Sequence, residues 1–167
     1  MLHKYKKTLL IIMILAITMS LTACGSAVQT VKSGEMEIKI SKEYKASSLA
    51  NATWYYTSPD SIAMGIRSSK EDIEKSGLEV NSLQDYVEAY IKANDIPKDT
   101  EVVSAESYEY FEYKRKVSGI MYSYITCAYD SSDAYWLVSF ACYKEMYNDY
   151  RTDFLEAADS VKFTNRE

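Results

Sequence analysis

Residues 120–143, IMYSYITCAYDSSDAYWLVSFACY, decide the fold. Both halves of this stretch are rich in the aromatic and β-branched residues that strands favour, and the turn-forming run DSSD at 130–133 separates them. The pattern predicts an antiparallel hairpin. If Tyr129 faces Ala134 across the turn, apolar residues meet apolar residues along the pair, and Cys127 faces Trp136.

The chain on either side of this hairpin is also typical of strands. Residues 102–117 have β character and end at Ser118-Gly119, which predicts a three-stranded meander. Nearer the start, EMEIKI at 35–40 alternates polar and apolar residues, as a half-buried strand does. Two further strands, at 52–57 and 62–68, flank a turn and predict a second hairpin.

Helix signals lie between and after these strands. Ser69 with Asp72, and Ser82 with Asp85, are spaced as helix-capping pairs. We expect a short helix that ends at Gly77 and a longer one, with an apolar face, that ends at 94–97. A closing helix is predicted after residue 146 because apolar residues recur there near helical spacing: Tyr147, Tyr150, Phe154, Ala158 and Val161.

This element order, with the closing segment FLEAADSVKF at 154–163, resembles the PsbP-like superfamily, to which bacterial lipoproteins similar to DcrB also belong. In that superfamily the closing helix tends to run into a strand of the form Ser-apolar-Lys-apolar. The resemblance implies an α+β fold, an antiparallel β-sheet sandwiched by helices (α/β/α). It also implies an accessory or scaffolding role without chemistry of its own, and it assigns no binding residues to this chain.

The first residues predict export. Residues 1–7 carry three lysines and no acid, and an uncharged run of 15 residues, 9–23, follows, which is short for a membrane-spanning helix. Leu21-Thr22-Ala23-Cys24 resembles the bacterial lipobox, whose cysteine is lipidated and becomes the new N-terminus. We therefore expect a signal peptide at 1–23 and a lipidated Cys24, with ordinary cleavage after Ala23 as the alternative.

Three segments follow from that interpretation. Residues 24–34, GSAVQTVKSG after the cysteine, are small and polar and predict a flexible tether, and residues 35–167 form a single globular domain. The location is the outer face of the cell membrane, through the lipid anchor. The 167 residues carry 19 Lys+Arg and 24 Asp+Glu, and loss of the leader's three lysines leaves a net charge of −8, which argues against nucleic-acid binding.

The same composition excludes several chemistries. The single histidine, His3, lies in the leader, so the mature chain lacks His-dependent nucleophiles and histidine metal sites. The five glycines form no phosphate-binding loop, and we expect no cofactor. Asp130 and Asp133 could hold calcium, but a tight turn favours the same residues, so no metal site is assigned. Cys127 and Cys142 are expected to be free, buried thiols, too far apart to form a disulfide.

Tyrosine is the unusual feature, with 16 in the chain. In the predicted meander Tyr122, Tyr124 and Tyr143 share one face, and Phe111 and Tyr113 join them if Ser118-Gly119 is a two-residue turn. Such a face can stack on sugar rings or seat a peptide strand. The alternative is that a helix covers it and the hydroxyls reach the rim.

Three functions are compatible with these observations. The first is a membrane-anchored, non-enzymatic accessory or docking module with a protein partner in the cell envelope. The second is a carbohydrate- or peptide-binding module that uses the tyrosine face. The third is an enzyme that acts through carboxylates such as Asp149 and Asp153, although acids four residues apart near a helix start are commonly solvated partners of the helix dipole.

Overall fold

Two antiparallel sheets dominate the computed structural model of the protein, which describes residues 27–164. The strands are β1 (Val28–Ser33), β2 (Met36–Ser41), β3 (Lys45–Ser47), β4 (Trp54–Thr57), β5 (Ser61–Ser69), β6 (Val102–Ser104), β7 (Glu109–Val117), β8 (Ile120–Asp130), β9 (Ala134–Tyr143) and β10 (Lys162–Phe163). A seven-stranded sheet has the order β3-β4-β5-β9-β8-β7-β6, and a small sheet has the order β1-β2-β10. The leader and Cys24 lie outside the described residues.

Three helices pack on the large sheet. They are α1 (Lys70–Lys75), α2 (Leu83–Ala93) and α3 (Tyr147–Asp159), and a 3-10 turn (Lys144–Met146) precedes α3. The first two cover one face of the sheet, and α3 shares the other face with the small sheet. The predicted α+β fold with a sandwiched antiparallel sheet is confirmed. Within the described residues no helix combines the length and the apolar character needed to span a membrane.

Both predicted helix caps are present. The side chain of Ser69 accepts a hydrogen bond from the backbone N–H of Asp72, and that of Ser82 accepts one from Asp85. These contacts satisfy N–H groups that the first turn of a helix leaves without a partner. Gly77, at φ 77°, follows α1 in the left-handed conformation that glycine adopts without strain.

The large sheet has a separate hydrophobic cluster on each face. Trp136, Val138 and Phe140 alternate toward α3 and the small sheet, where they meet Phe154 and Ile38. Leu137 and Tyr135, on the other face, pack under α2. This explains why β9 is buried along nearly its whole length and reads as a continuous apolar run.

The predicted tether at 24–34 is wrong for most of its length. Val28–Ser33 forms β1, which pairs with β2 over six residues, and Val31 is 4% exposed. Gly34, at φ 59°, begins the tight turn back into β2. The segment looks polar because only its inward side chains are apolar, and a short edge strand needs few of them.

The predicted register of the last hairpin is also wrong, by two residues. Cys127 faces Val138 rather than Trp136, and Tyr129 faces Trp136 rather than Ala134. The cause is the turn, where both the backbone N–H and the hydroxyl of Ser131 donate to the carbonyl of Ala134 and centre the turn on Ser132 and Asp133, one residue later than predicted. A shift of two keeps every side chain on its predicted face. Ser118-Gly119 is a two-residue turn, as expected, because Val117 pairs with Ile120.

A buried ion pair joins the small sheet to the large one. Glu35, in the turn between β1 and β2, accepts a hydrogen bond of 3.0 Å from Nε of Arg67 on β5. Arg67 also contacts Asp133, at 2.8 Å, in the β8–β9 turn. The network ties three loops and strands together at one end of the molecule.

Candidate functional site

The meander places the predicted tyrosines side by side on the face that carries α1 and α2. Tyr113 is the cross-strand partner of Tyr124, and Tyr122 is the partner of Tyr143. The rings of the first pair stack with centroids 4.8 Å apart and planes at 8°, and those of the second pair lie 5.4 Å apart at 31°. The shared face follows from strand periodicity and from the two-residue turn at Ser118-Gly119.

Helix α2 covers one half of this face. Phe111 and Tyr113 are buried in the cluster that Val87 and Ile91 of α2 form with the sheet, and Tyr113 is only 8% exposed. The helix-covered alternative therefore applies to Tyr113 and Phe111. Tyr113 supports its neighbour Tyr124 through ring stacking and offers little surface to a ligand.

The other half of the face is open. Tyr122, Tyr124 and Tyr143 are partly exposed there, and Tyr55 of β4 lies on the same face, three strands away from β8. We call Tyr55, Tyr122, Tyr124 and Tyr143 the tyrosine patch. Among the described residues, only Tyr124 of these four packs against either buried cluster.

Small side chains form the floor of the tyrosine patch. Ala141 of β9 lies between Tyr124 of β8 and Ile62 of β5 in one row across the sheet. In the next row Ser139 faces Thr126, and their hydroxyls are 2.8 Å apart. Ala141 and Ser139 are almost fully buried, at 1% and 2% exposed, between the larger side chains that flank them. The result is a shallow aromatic surface over a buried floor of small side chains.

Two tyrosines of the patch, Tyr122 and Tyr124, have raised pKa values. Desolvation raises the pKa of Tyr122, and the neighbouring phenol of Tyr143 raises it further. Burial raises the pKa of Tyr124, although the charge of Arg115 opposes the change. Arg115 lies at the border with α2, where it donates to the carbonyl of Asn94 and stands 5.6 Å from the ring of Tyr113. The phenols of Tyr122 and Tyr124 therefore remain protonated at neutral pH and can donate hydrogen bonds.

Tyr55 was not predicted from the sequence as a residue of this site. The run ATWYYT was assigned to a strand of the second hairpin, but pairing of that hairpin with the meander, through β5 and β9, was not predicted. Because Trp54 points to the opposite face, where it is buried, strand periodicity alone places Tyr55 on the patch face once the sheet order is known.

The two cysteines are free and buried, as predicted. Cys142 faces Ser123, so the two cysteines lie four residues apart along the paired strands, about 14 Å at 3.4 Å per residue. Burial raises the pKa of the Cys142 thiol to about 11 and that of Cys127 further. Neither has the lowered pKa of a reactive thiol.

The candidate acidic residues have structural partners or solvent contact. Asp130 pairs with Lys70 at 2.6 Å and Asp133 with Arg67 at 2.8 Å, which makes both part of the turn network. Asp149 and Asp153 line a cavity of about 410 Å³ between α3 and the β2–β3 loop. In that cavity Tyr44 donates to or accepts from Ser61 at 2.7 Å. Within residues 27–164 no group of three or more His, Cys, Asp or Glu side chains could hold a metal ion.

Comparison with solved structures identifies the type of fold. Cyanobacterial PsbP (CyanoP) from Synechocystis sp. PCC 6803 superposes with a TM-score of 0.53 at 11% identity, over 87% of this chain and 99% of that one. The fold is PsbP-like. The segment 154–163, on which that resemblance rested in the sequence, forms the end of α3 and β10, with Ser160 at the helix end and Lys162–Phe163 as the strand.

Other solved proteins share this PsbP-like fold. The Ran-binding protein Mog1p of Saccharomyces cerevisiae matches with a TM-score of 0.52 at 7% identity, over 83% of this chain and 96% of that one. A protein from Bacteroides thetaiotaomicron matches with a TM-score of 0.57 at 10% identity, over 83% of this chain. The chain spans 49% of that protein's length. No protein-family model matches the sequence, and no curated protein matches it significantly.

Proposed function

We propose that this PsbP-like protein is a lipid-anchored accessory module of the cell envelope, without catalytic activity, whose tyrosine patch docks a protein partner. The observation that carries the proposal is the open half of the sheet face. Tyr55, Tyr122 and Tyr143 are partly exposed large side chains that contribute to neither buried cluster among the described residues. Tyrosine is enriched in protein interfaces because its ring buries much area and its hydroxyl can still find a partner.

The anchor is the second part of the proposal. It rests on Leu21-Thr22-Ala23-Cys24, whose cysteine precedes the described chain at Ala27 by three residues. A lipid on Cys24 would hold the domain on the outer face of the cell membrane, where a partner of the envelope is within reach. Mog1p, which shares the fold, is a Ran-binding protein, although a shared fold does not by itself carry a function.

Crosslinking in living cells tests the docking role. A photoreactive phenylalanine analogue replaces Tyr122 in the full chain, and a second variant carries it at Tyr110, which is also partly buried but points to the opposite face. We expect one defined protein adduct from position 122, lost when Tyr55→Ala is added. Adducts of equal yield from both positions, or none from position 122, would remove the docking role.

Carbohydrate binding is the second candidate, because neutral phenols at a sheet surface also stack on sugar rings. Tyr122→Ala combined with Tyr124→Ala should then abolish retention of the protein on purified cell wall. Retention that persists in this double variant eliminates the carbohydrate role and leaves the protein-docking role unaffected.

A further inference from the structure

The tip of the β7–β8 hairpin is apolar and exposed. Val117, Ile120 and Met121 are 42%, 48% and 37% exposed, and they adjoin the two-residue turn at Ser118-Gly119. The last pair between β8 and β9 joins Tyr122 to Tyr143, so the hairpin extends beyond the rest of the sheet. Val117 and Ile120 are cross-strand partners on one face of the hairpin, and Met121 lies on the other face. Exposed apolar side chains on both faces of a protruding tip indicate a contact surface.

Positive charge surrounds this tip. Lys114 and Lys116 are exposed on β7, and Lys144 is exposed just after β9. In the described part of the chain none of these three forms an ion pair. Lysines with long aliphatic stems beside exposed apolar residues are typical of surfaces that meet lipid headgroups.

The start of the described chain lies at the same end of the molecule as the tip. The carbonyl of Ala27 accepts a hydrogen bond from the N–H of Lys42 at 2.7 Å, and Tyr44, two residues on, contacts Ser61 at 2.7 Å. Ser61 begins β5 and faces Cys142 near the end of β9.

The same row continues to the hairpin. Cys142 also faces Ser123 of β8. Gly119, in the hairpin turn, lies four residues before Ser123. Because β5 and β8 are two strands apart, the row spans only about 10 Å across the sheet. One flat surface can therefore touch both the chain entry and the hairpin tip.

The linker is too short to hold the domain away from such a surface. Because β1 occupies most of the predicted tether, only Gly25, Ser26 and Ala27 separate Cys24 from the first strand. Three residues span at most about 11 Å. A lipid on Cys24 would draw this end of the domain, tip included, against the bilayer.

We propose that the β7–β8 hairpin tip inserts its aliphatic side chains into the headgroup region of an anionic bilayer and so fixes the orientation of the anchored domain. This inference rests on the proposed anchor for its geometry. The net negative charge of the chain disfavours an anionic surface on average, and Glu43, Asp60 and Glu145 lie at the same end. Burial of Val117, Ile120 and Met121 in the bilayer favours binding. Lys114 and Lys116 attract the tip to the anionic headgroups.

The orientation also accounts for the placement of the tyrosine patch. The Tyr122–Tyr143 pair adjoins the tip, as aromatic side chains commonly do at the level of lipid headgroups, and Tyr55 and Tyr124 stand further from the surface. A partner would then meet the patch along the membrane.

Depth-dependent fluorescence quenching tests the proposal. The full chain, purified from the producing cells, is reconstituted into vesicles of phosphatidylethanolamine and phosphatidylglycerol that contain doxyl-labelled lipid. A fluorescent amino acid replaces Ile120 in one sample and Leu78 in the other. Leu78 is a matched control, since it is 57% exposed and follows α1 at the opposite end of the sheet. We expect several-fold stronger quenching at position 120.

The outcomes separate the two proposals. Equal quenching at positions 120 and 78 overturns the insertion of the tip, even if the protein stays on the vesicles. Mass spectrometry of the same sample reads the lipid on Cys24, so an unmodified cysteine refutes the anchor independently of the quenching result. Lys114→Glu with Lys116→Glu should weaken quenching at position 120, and quenching unchanged by this reversal also counts against the proposal.

Discussion

The indole Nε1 of Trp136 donates a hydrogen bond of 2.9 Å to Oε1 of Glu35, a residue 101 positions earlier in the chain. Both groups are buried, since Trp136 is 0% and Glu35 7% exposed. The same carboxylate oxygen accepts from Arg67, so one acceptor links the β1–β2 turn to two strands of the large sheet. This atom adds a polar attachment to the apolar packing of the small sheet.

Removal of the Glu35 carboxylate should destabilise the fold. Glu35→Ala leaves the Trp136 N–H buried without an acceptor, and we expect a loss of about 2–3 kcal/mol in the free energy of unfolding. Glu35→Gln keeps an oxygen acceptor at that place and should cost about 1 kcal/mol. Urea denaturation measures both, and equal losses in the two variants would contradict this role.

The same carboxyl makes stability depend on acid pH. Burial opposes its ionisation, but hydrogen bonds from its own backbone, Trp136 and Arg67, with the charge of Arg67, outweigh burial and lower the pKa of Glu35 from 4.5. A lowered folded-state pKa contributes stability above the unfolded value, and that stability is lost as the pH falls through the folded value. Between about pH 6 and pH 3 the wild type should therefore lose more stability than Glu35→Gln. Parallel pH profiles of the two proteins would argue against the mechanism.

Gly65 is required because the indole of Trp54 lies on it. The two residues are cross-strand partners, and a Cβ at position 65 would overlap the indole ring. Gly65→Ala should lower the free energy of unfolding by about 1–3 kcal/mol. In a Trp54→Leu background the same substitution should cost much less, since the clash is gone. The prediction fails if the cost is the same in both backgrounds.

Strand β1 should behave as part of the core. Val31→Ala removes a side chain that is 4% exposed and should cost about 1–2 kcal/mol of unfolding free energy. Thr30→Ala, one residue earlier and exposed, is the matched control and should have little effect. Thermal unfolding of both variants distinguishes a packed strand from a linker, in which neither change would matter.

The thiols at Cys127 and Cys142 should resist alkylation in the folded protein. Both are 0% exposed, and burial raises both pKa values, so the reactive thiolate is scarce at neutral pH. Iodoacetamide followed by peptide mass spectrometry should modify neither residue without denaturant and both in denaturant. Rapid modification of Cys142 in the native protein would show that α3 opens over it.

Much of the fold could be predicted because strong local signals mark it. The serine caps of α1 and α2, the turn at Ser118-Gly119 and the aromatic alternation of the meander each act over a few residues. The register of the β8–β9 hairpin was missed because hydrogen bonds from the backbone N–H and the hydroxyl of one residue, Ser131, place the turn. Alternation alone fixes the face of a side chain but not its exact partner.

The candidate site was predicted in part, for a related reason. Tyr122, Tyr124 and Tyr143 come from adjacent segments, so hairpin geometry was enough to bring them together. The place of Tyr55 depends on which strand pairs with β9, and the burial of Tyr113 depends on where α2 packs. Both are long-range outcomes, set by the core as a whole.

The small sheet also determines how the protein resists a mechanical force. Strand β1 leaves Ala27 at one end of β2, and β10 runs parallel to β1 and delivers Thr164 to the other end, beside Glu35. A force between the two ends of the described chain therefore acts along these strands. It loads the hydrogen bonds of β2 to its neighbours in shear, so that they must break together rather than one at a time. A domain that is anchored at its first strand and pulled at its last strand resists force in that direction.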